Sequence, residues 1–288
     1  KINKTERVVY MAKLRLLSNN IWWSNNNTEA WKARGENCAP DHRAKGFARV
    51  YTELAPDIIG LQEAAAMLPN YVMTELLYQT EIPYAMLWGR DTPIIYRTDK
   101  FELVDSTYDI YPEEIPDFEG EFNNLKTKSY CIGVFRVKEN GKLLIFATTH
   151  LWYKTEEQQS GSDFARTYQL GILMDKIEQF KAKYNAPVFM MGDFNAYYDS
   201  DAVRSALNRG YVSAYHLATD YRDETCGYHH CAGDRYEGFE NKKTVNESID
   251  QFMVKDAQEG SVKRFDRFYP EYYYPLSDHY PTFIDIEL

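Results

Sequence analysis

Residues 187–195 of this 288-residue chain read PVFMMGDFN, and this stretch determines how the rest of the sequence is interpreted. Val188–Met191 has the length and composition of a buried strand, and Gly192 permits a tight turn directly after it. Two polar residues, Asp193 and Asn195, follow that turn. In α/β proteins, functional sites are assembled at strand ends and in the loops beyond them. The stretch therefore predicts a buried strand that ends at a functional site.

The same pattern, an apolar run next to polar side chains, recurs along the chain. Each run has the length of a strand and is bounded by turn residues. The runs predicted as strands are Leu14–Leu17, Ile58–Leu61, Ile94–Tyr96, Cys131–Val137, Leu143–Thr148, Val188–Met191, Ile249–Val254 and Thr282–Ile286. The polar residues at the ends of these runs are Asn20, Gln62-Glu63, His150, Asp193, Asn195, Asp250 and Ser277-Asp278-His279.

Helical patterns and a hairpin signal lie between the predicted strands. Arg43–Leu54 and Phe164–Phe180 show apolar residues at helical spacing. Asn140-Gly141, between two strand-like runs, is typical of a hairpin turn and indicates antiparallel pairing. This mixture favours a layered α/β (α+β) sandwich over a purely parallel sheet. Because Tyr111–Lys128 is typical of a long loop rather than a domain boundary, we expect one domain over residues 1–288.

Charge limits the class of partner. The chain has 33 basic and 43 acidic residues, a formal net charge of −10, and it has no Lys/Arg-rich run. A protein that binds nucleic acid normally has a basic face that neutralises phosphates, so we expect no long duplex partner. If Arg97, Lys126, Lys128 and Arg166 formed a local basic cluster, the protein could bind duplex nucleic acid despite its net negative charge.

Hydropathy and cysteine content bear on location. No run approaches the ~20 apolar residues of a membrane span, so we expect no transmembrane segment and a soluble monomer. The chain begins at Lys1 rather than Met, which leaves a secreted or periplasmic location open. Cys226 and Cys231 flank His229-His230, and this segment is compatible with a zinc site, a local disulfide or free thiols.

The chemistry of the polar residues at the strand ends is coherent. Carboxylate and amide oxygens are the ligands that Mg²⁺ prefers, and no Cys cluster or His-Glu-x-x-His helix argues for zinc. A phosphate ester resists attack because its oxygens are anionic. A metal ion neutralises those oxygens, while a carboxylate or imidazole positions the incoming water. These residues therefore favour Mg²⁺-dependent (or Mn²⁺-dependent) hydrolysis of a phosphate ester.

Taken in order, these motifs also resemble a known family. The chain is similar to the endonuclease/exonuclease/phosphatase (DNase I-like) superfamily over residues 14–288, and the similarity is carried by Asn20, Gln62-Glu63, His150, Gly192-Asp193-Phe194-Asn195, Ile249-Asp250 and Ser277-Asp278-His279. The resemblance implies a four-layer sandwich of two mixed β-sheets, packed face to face and flanked by helices.

The resemblance also implies roles on the metal side of the site. Glu63 would be the principal metal ligand, assisted by Asn20 directly or through water. Asp278 would serve as a second metal or water ligand. Asp193 would orient or deprotonate the attacking water, and Asn195 would hold a phosphoryl oxygen.

On the phosphate side, the resemblance implies a role for two histidines. His279 would contact the phosphate and donate its other ring proton to Asp250, which fixes the tautomer. A structure should then place an Asp250 oxygen roughly 2.6–3.2 Å from a ring nitrogen of His279. His150 would hydrogen-bond to a phosphate oxygen.

Three further residues are candidates for substrate binding. Arg97 and Arg166 would contact phosphate or else be solvated surface charges, and Trp152 would stack on a ring of the substrate or else belong to the core. We expect a small phosphodiester, a lipid headgroup or a short single-stranded nucleic acid as substrate rather than duplex DNA. The alternatives are a nuclease acting on DNA or RNA and a non-catalytic ligand-binding protein on the same fold.

Overall fold

Two β-sheets pack face to face at the centre of the protein, and helices cover their outer faces. The computed structural model describes residues 11–23, 29–65, 67–225, 231–232, 235–236 and 244–288. In these ranges the strands are β1 (Lys13–Asn20), β2 (Ile58–Gln62), β3 (Tyr84–Leu87), β4 (Ile94–Arg97), β5 (Phe101–Ile110), β6 (Ser129–Val137), β7 (Leu143–His150), β8 (Val188–Asp193), β9 (Val212–Ser213), β10 (Tyr221–Arg222), β11 (Cys231–Ala232), β12 (Arg235–Tyr236), β13 (Asp250–Lys255), β14 (Val262–Arg267) and β15 (Thr282–Glu287). The α-helices are α1 (Glu29–Lys32), α2 (Pro40–Leu54), α3 (Leu68–Gln79), α4 (Ser162–Tyr184), α5 (Asp201–Asn208) and α6 (Ala214–Leu217).

The larger sheet has seven strands in the order β10-β14-β15-β1-β2-β4-β3. β1 and β2 run parallel, with Asn20 opposite Gln62 at their carboxyl ends. β4 runs antiparallel to β2, with Gly60 opposite Ile94, so β4 begins at the edge where β2 ends. This edge of the sheet carries Asn20 and the Gln62-Glu63 pair.

The smaller sheet has six strands in the order β5-β6-β7-β8-β13-β9. β7 and β8 run parallel, with His150 opposite Asp193 at their ends. β13 runs antiparallel to β8 and begins at Asp250, which is also opposite Asp193. Three of the predicted site residues are therefore adjacent at one edge of this sheet: His150, Asp193 and Asp250.

Three hydrophobic clusters hold the layers together. Side chains such as Leu16, Phe146 and Ile284 fill the space between the two sheets. α2 and α3 pack on the outer face of the larger sheet. α4 and α5 pack on the outer face of the smaller sheet. The predicted fold class, two mixed sheets flanked by helices, is confirmed.

The eight runs that the sequence predicted as strands coincide with strands, except that Ile249 precedes β13 by one residue, and both predicted helices lie within α2 and α4. The Asn140-Gly141 turn joins the antiparallel strands β6 and β7, as predicted. Residues 112–128 contain no helix or strand, which agrees with the predicted loop. The sequence pattern missed β3, β5, β14, α3 and α5, together with the elements of two to four residues. β5 and β14 contain charged and half-exposed residues that dilute the apolar signal. Among the described residues, no helix has the length and hydropathy needed to cross a membrane.

Candidate active site

The predicted site residues meet where the two sheets present the same edge. Asn20 lies at the end of β1 in the larger sheet and Asp193 at the end of β8 in the smaller one. The Asn20 side chain donates a hydrogen bond from Nδ2 to Oδ2 of Asp193 at 3.0 Å. This contact joins the sheets and brings together residues that are far apart in sequence.

Glu63 is held in place from both sides. Nδ2 of Asn20 lies 3.3 Å from Glu63 Oε1, and the backbone N–H of Trp23 donates to Oε2 at 2.8 Å. The amide oxygen of Asn20 accepts the backbone N–H of Trp22 at 2.9 Å. These hydrogen bonds fix both side chains before any ligand arrives. The Glu63 carboxylate is therefore pre-organised beside Asp193.

Asp193 is the centre of the site. Its Oδ1 accepts the backbone N–H of Asn195 at 2.8 Å. Its Oδ2 lies 3.5 Å from Nε2 of His150 and 3.8 Å from Nε2 of His279. Gly192 has φ +144°, a backbone conformation that favours glycine, and lies within β8 directly before Asp193.

His279 and Asp250 form the expected pair. Nδ1 of His279 lies 2.8 Å from Oδ2 of Asp250, within the predicted range of roughly 2.6–3.2 Å. Burial lowers the pKa of His279, but the Asp250 carboxylate, together with Asp193, outweighs burial and holds the pKa well above its usual value. The Ser277 hydroxyl accepts the backbone N–H of His279 at 3.1 Å and donates to the carbonyl oxygen of Asn20 at 2.6 Å. The loop that contains Ser277 and His279 is thus attached to the end of β1.

The carboxylates of the site differ in proton affinity. Burial raises the pKa of Asp278 to about 7 and that of Asp193 to about 6. Burial also raises the pKa of Glu63, but the nearby Lys128 ammonium and hydrogen bonds outweigh it, and the net shift is downward. Oδ1 of Asp278 is buried and has no hydrogen-bond partner in the described part of the chain. Together with the Glu63 carboxylate, which lines the same cavity, and the Asn20 amide, this oxygen makes a donor set whose chemistry suits a divalent cation.

A cavity of about 470 Å³ opens over this cluster. Seven of the predicted site residues line it: Glu63, His150, Trp152, Asp193, Asn195, Asp278 and His279. Asn20 and Asp250 contact these residues from below, through the hydrogen bonds to Asp193 and His279. The structure therefore brings together all eight residues to which the resemblance assigned metal or catalytic roles.

The structure places Arg97 away from the cavity. Arg97 ends β4, which runs antiparallel to β2, so it lies at the edge of the sheet opposite Glu63. Its guanidinium is paired with Asp99, 3.0 Å away, and with Asp57, 3.4 Å away. Arg97 stabilises that distant edge and does not line the cavity.

Arg166 and Trp152 lie close to the site, and their substrate-binding roles stay predictions. Trp152 lines the cavity, and Arg166 lines a neighbouring cavity that shares Tyr153 and Asn195 with it. Arg166 donates to the backbone carbonyl oxygens of Trp152 and Lys154, at 3.3 and 2.6 Å, and is ion-paired with Asp163. The indole of Trp152 is only 1% exposed and donates to the Ser162 hydroxyl at 3.2 Å. Trp152 is therefore an almost fully buried part of the cavity wall, and Arg166 fixes the backbone that follows His150.

The cavity wall also contains residues that were not predicted as site residues, among them Asp91, Tyr153 and Lys128. Asp91 is buried, and burial raises its pKa to about 6 against the opposing effect of Lys128. Tyr153 is half-exposed and contributes an aromatic face. Lys128 is buried with its Nζ 2.6 Å from Nε2 of His150. The available sequence signals were the position of Tyr153 close to His150 and that of Lys128 directly before a strand.

The predictions for the cysteines fall largely outside the described residues. Cys226 and His229-His230 are not described, and only the backbone of Cys231 is described, as part of β11. The zinc, disulfide and free-thiol alternatives for this pair stay open.

Comparisons with solved structures find the same fold. The structure is similar to an endonuclease/exonuclease/phosphatase from Bacteroides vulgatus, with a TM-score of 0.72 and 22% identity over 96% of this chain and 99% of that one. It is also similar to a mannosyl-6-phosphatase from Bacteroides thetaiotaomicron VPI-5482, with a TM-score of 0.67 and 21% identity over 94% and 98% of the two chains. TDP2 from D. rerio, complexed with a single-strand DNA product, has a TM-score of 0.65 and 18% identity over 95% and 98%.

At these identities the three structures show a shared fold. A comparison with curated protein sequences gives no match. The sequence model of the Endonuclease/Exonuclease/phosphatase family matches residues 20–279, a range that begins at Asn20 and ends at His279. Because this match covers most of the chain and contains every residue of the assembled cluster, the protein belongs to the endonuclease/exonuclease/phosphatase family.

Proposed function

We propose that the protein is a hydrolase that cleaves a phosphate ester by attack of water and depends on Mg²⁺ or Mn²⁺. The observation that supports this most directly is the surrounding of one oxygen, Oδ2 of Asp193. Asn20, His150 and His279 all approach it within 3.8 Å at the floor of an open cavity. A carboxylate held between an amide and two imidazoles is suited to positioning water next to a bound phosphate.

Glu63 is the proposed principal metal ligand, with Asn20 assisting directly or through water and Asp278 as a further ligand. The unpartnered oxygen of Asp278 and the pre-organised carboxylate of Glu63 support this assignment. A divalent ion held there would neutralise the anionic phosphoryl oxygens and so favour attack at phosphorus.

The remaining residues would carry out proton transfer and positioning. Asp193 would accept a proton from the attacking water while the backbone N–H of Asn195 holds its other oxygen. The side-chain amide of Asn195 would bind a phosphoryl oxygen. His279, kept charged by Asp250, would donate a hydrogen bond to the phosphoryl group, and His150 lies on the same side of the cavity.

The preferred substrates are a small phosphodiester, a lipid headgroup or a short single-stranded nucleic acid. A cavity of about 470 Å³ accepts a small ester or the end of a strand. One structural neighbour is a mannosyl-6-phosphatase and another was solved with a single-strand DNA product, so monoesters and strand ends both belong in the test. The monomeric state and the single domain over residues 1–288 are proposed with this function.

An activity screen tests the proposal. Purified protein would be assayed with diester, monoester, nucleic-acid and lipid phosphates in Mg²⁺, Mn²⁺ or EDTA, with Asp193→Asn as the matched inactive variant. We expect hydrolysis that requires metal and is lost in Asp193→Asn. Absence of hydrolysis across all classes by folded protein would favour the alternative of a non-catalytic ligand-binding protein.

A further inference from the structure

Arg43 is a buried cation close to the proposed metal ligands. It belongs to α2, on the outer face of the larger sheet, and its side chain is fully buried. Burial lowers the pKa of Arg43 to about 10, against the opposing effect of nearby groups that include the Asp278 and Glu63 carboxylates. The guanidinium therefore carries its charge at neutral pH, near two of the residues proposed to hold the divalent ion.

The guanidinium donates to backbone carbonyl oxygens of two separate loops. Nη2 donates to the carbonyl oxygen of Ile21 and, at 2.8 Å, to that of Trp22. Nε donates to the carbonyl oxygen of Leu276 at 2.8 Å. Residues 21–23 directly follow Asn20, and residues 276–279 contain Asp278 and His279. One side chain therefore links loop 21–23, at the end of β1, to loop 276–279.

Loop 21–23 has a strained backbone that holds two of the proposed metal ligands. Trp22 has φ +54°, which is costly for a bulky residue. In this conformation the N–H of Trp22 donates to Oδ1 of Asn20 at 2.9 Å, and the N–H of Trp23 donates to Oε2 of Glu63 at 2.8 Å. Such strain persists only where the surrounding contacts fix the backbone. The hydrogen bond from Arg43 to the Trp22 carbonyl oxygen is one of those contacts.

Stability alone does not explain a charge at this position. Nη1 of Arg43 is buried and has no hydrogen-bond partner in the described part of the chain. A buried and partly satisfied guanidinium costs desolvation energy that an apolar side chain avoids. Other buried residues of α2 are apolar, such as Phe47 and Val50, so an apolar side chain would suit the surroundings. Departures of this kind from the most stable choice are expected at functional sites.

We propose that Arg43 is a positioning residue of the metal site: by linking loop 21–23 to loop 276–279, it fixes the Glu63 and Asp278 carboxylates relative to each other and so sets the affinity for the divalent ion. This inference rests on the metal site of the proposed function. Arg43 acts through the backbone that orients these ligands. The planar guanidinium presents its donors as a rigid fork that spans both loops, whereas the ammonium of a lysine is a point donor on a flexible stem.

Calorimetric titration of the metal-free protein with Mg²⁺ tests this role without using turnover. Arg43→Lys keeps the charge but cannot hold both loops, so the dissociation constant for Mg²⁺ should rise by about tenfold or more. The titration is run where circular dichroism shows the variant to be folded, so a merely structural role would leave the affinity unchanged. Wild-type Mg²⁺ affinity in folded Arg43→Lys would overturn the proposal.

Arg15→Lys is the matched control. The Arg15 guanidinium also donates to a backbone carbonyl oxygen, that of Leu54 at 2.9 Å, and binds both carboxylate oxygens of Asp285 at 2.7 and 2.8 Å. Arg15 lies near the start of β1, however, whereas Asn20 ends it. The control should lose stability in urea unfolding and keep its Mg²⁺ affinity. An equal loss of Mg²⁺ affinity in both variants would show a general loosening of the fold and would contradict a specific role for Arg43.

A measurement on the wild-type protein needs no variant to fold. If Arg43 already fixes the two loops, the backbone amides of Trp22, Trp23 and His279 should exchange hydrogen slowly in the metal-free protein, and Mg²⁺ should change their exchange little. Hydrogen–deuterium exchange followed by NMR measures this. Fast exchange that slows only when Mg²⁺ is added would show that the metal fixes the loops, and the proposal would fail.

The outcomes separate this inference from the proposed function. If Arg43→Lys weakens Mg²⁺ binding but no phosphate ester is hydrolysed by the wild type, the proposed hydrolysis fails while the role of Arg43 at the metal site stands. If the wild type hydrolyses esters in a metal-dependent way but Arg43→Lys binds Mg²⁺ as tightly, only the role of Arg43 is refuted.

Discussion

At the scale of single residues, the site depends on side chains that are fixed before a ligand binds. Glu63 accepts hydrogen bonds on both carboxylate oxygens, and Asp193 accepts them on both of its own. Groups held in this way need little reorganisation when charge develops in a transition state. Substitutions that keep the shape of these residues but change their charge should therefore affect activity far more than folding.

The substitution Glu63→Gln tests the metal side. It removes the negative charge from the proposed principal ligand and keeps the size of the side chain, so Mg²⁺ affinity should fall and turnover should drop by about two orders of magnitude or more. The unfolding midpoint should change little. Calorimetric titration with Mg²⁺ measures the effect, with the exposed Glu81→Gln as control. Unchanged Mg²⁺ affinity in Glu63→Gln would remove this residue from the metal site.

The substitution Asp250→Asn tests the histidine pair. The amide cannot stabilise a charged imidazole as the carboxylate does, so His279 would lose the interaction that raises its pKa. We expect kcat to fall by about 10²-fold or more while the protein remains folded. Steady-state kinetics and urea unfolding measure both, and the exposed Asp199→Asn is the control. Wild-type kcat in Asp250→Asn would show that the pair has no catalytic role.

At the scale of elements, parallel pairing of β7 with β8 sets the spacing of the site. Thr149 lies opposite Gly192, and His150 lies opposite Asp193. A Cβ atom added at Gly192 would lie 2.0 Å from the carbonyl oxygen of Thr149. The two strands can approach this closely only because residue 192 has no side chain.

Gly192→Ala should therefore damage both stability and the site. The alanine must push β8 away from β7, at a cost of about 3 kcal/mol or more in the free energy of unfolding. Gly141→Ala is the matched control, since Gly141 also has a positive φ, +76°, but nothing lies within 4 Å of the added atom. It should cost about 1–2 kcal/mol from backbone strain alone. Equal costs in urea unfolding would show that close strand approach is unimportant.

At the scale of the whole molecule, charge and cavity shape restrict the substrate. The chain has a net charge of −10. Of the four residues that could have formed a basic cluster, Arg97 and Lys126 are paired with acidic residues. Arg166 is also paired, with Asp163. Lys128 is the remaining member and is the one that lines the cavity. The protein is therefore expected to contact only phosphates close to the metal site.

Salt dependence tests this expectation. Binding to duplex DNA weakens with salt by about 0.9 log units per phosphate contact per decade of salt concentration. We expect weak, metal-dependent duplex binding with a slope that corresponds to about one or two contacts, and faster turnover of small or single-stranded esters. Filter binding and cleavage assays from low to physiological salt measure both. Tight binding with a slope equivalent to about six contacts or more would instead make a nuclease acting on duplex DNA the leading function.

The sequence by itself determined which residues form the main strands and which polar side chains follow them, because apolar runs and turn residues are local features. It therefore predicted the fold class, and the motif order led to all eight residues of the central cluster. It missed β3, because a short half-exposed strand has little local signal.

Only the tertiary structure decided which strand ends meet, because strand direction depends on pairing between distant segments. Arg97 and His150 both end strands, but β4 runs antiparallel to β2, so Arg97 lies at the far edge. Lys128 precedes a strand, but β6 runs antiparallel to β7, so its beginning lies beside the end of β7. Burial was also a tertiary result: Trp152 follows His150 closely in sequence, yet it is almost fully buried and its ring packs against Phe122. The direction of each strand in its sheet thus placed Lys128 in the site and excluded Arg97.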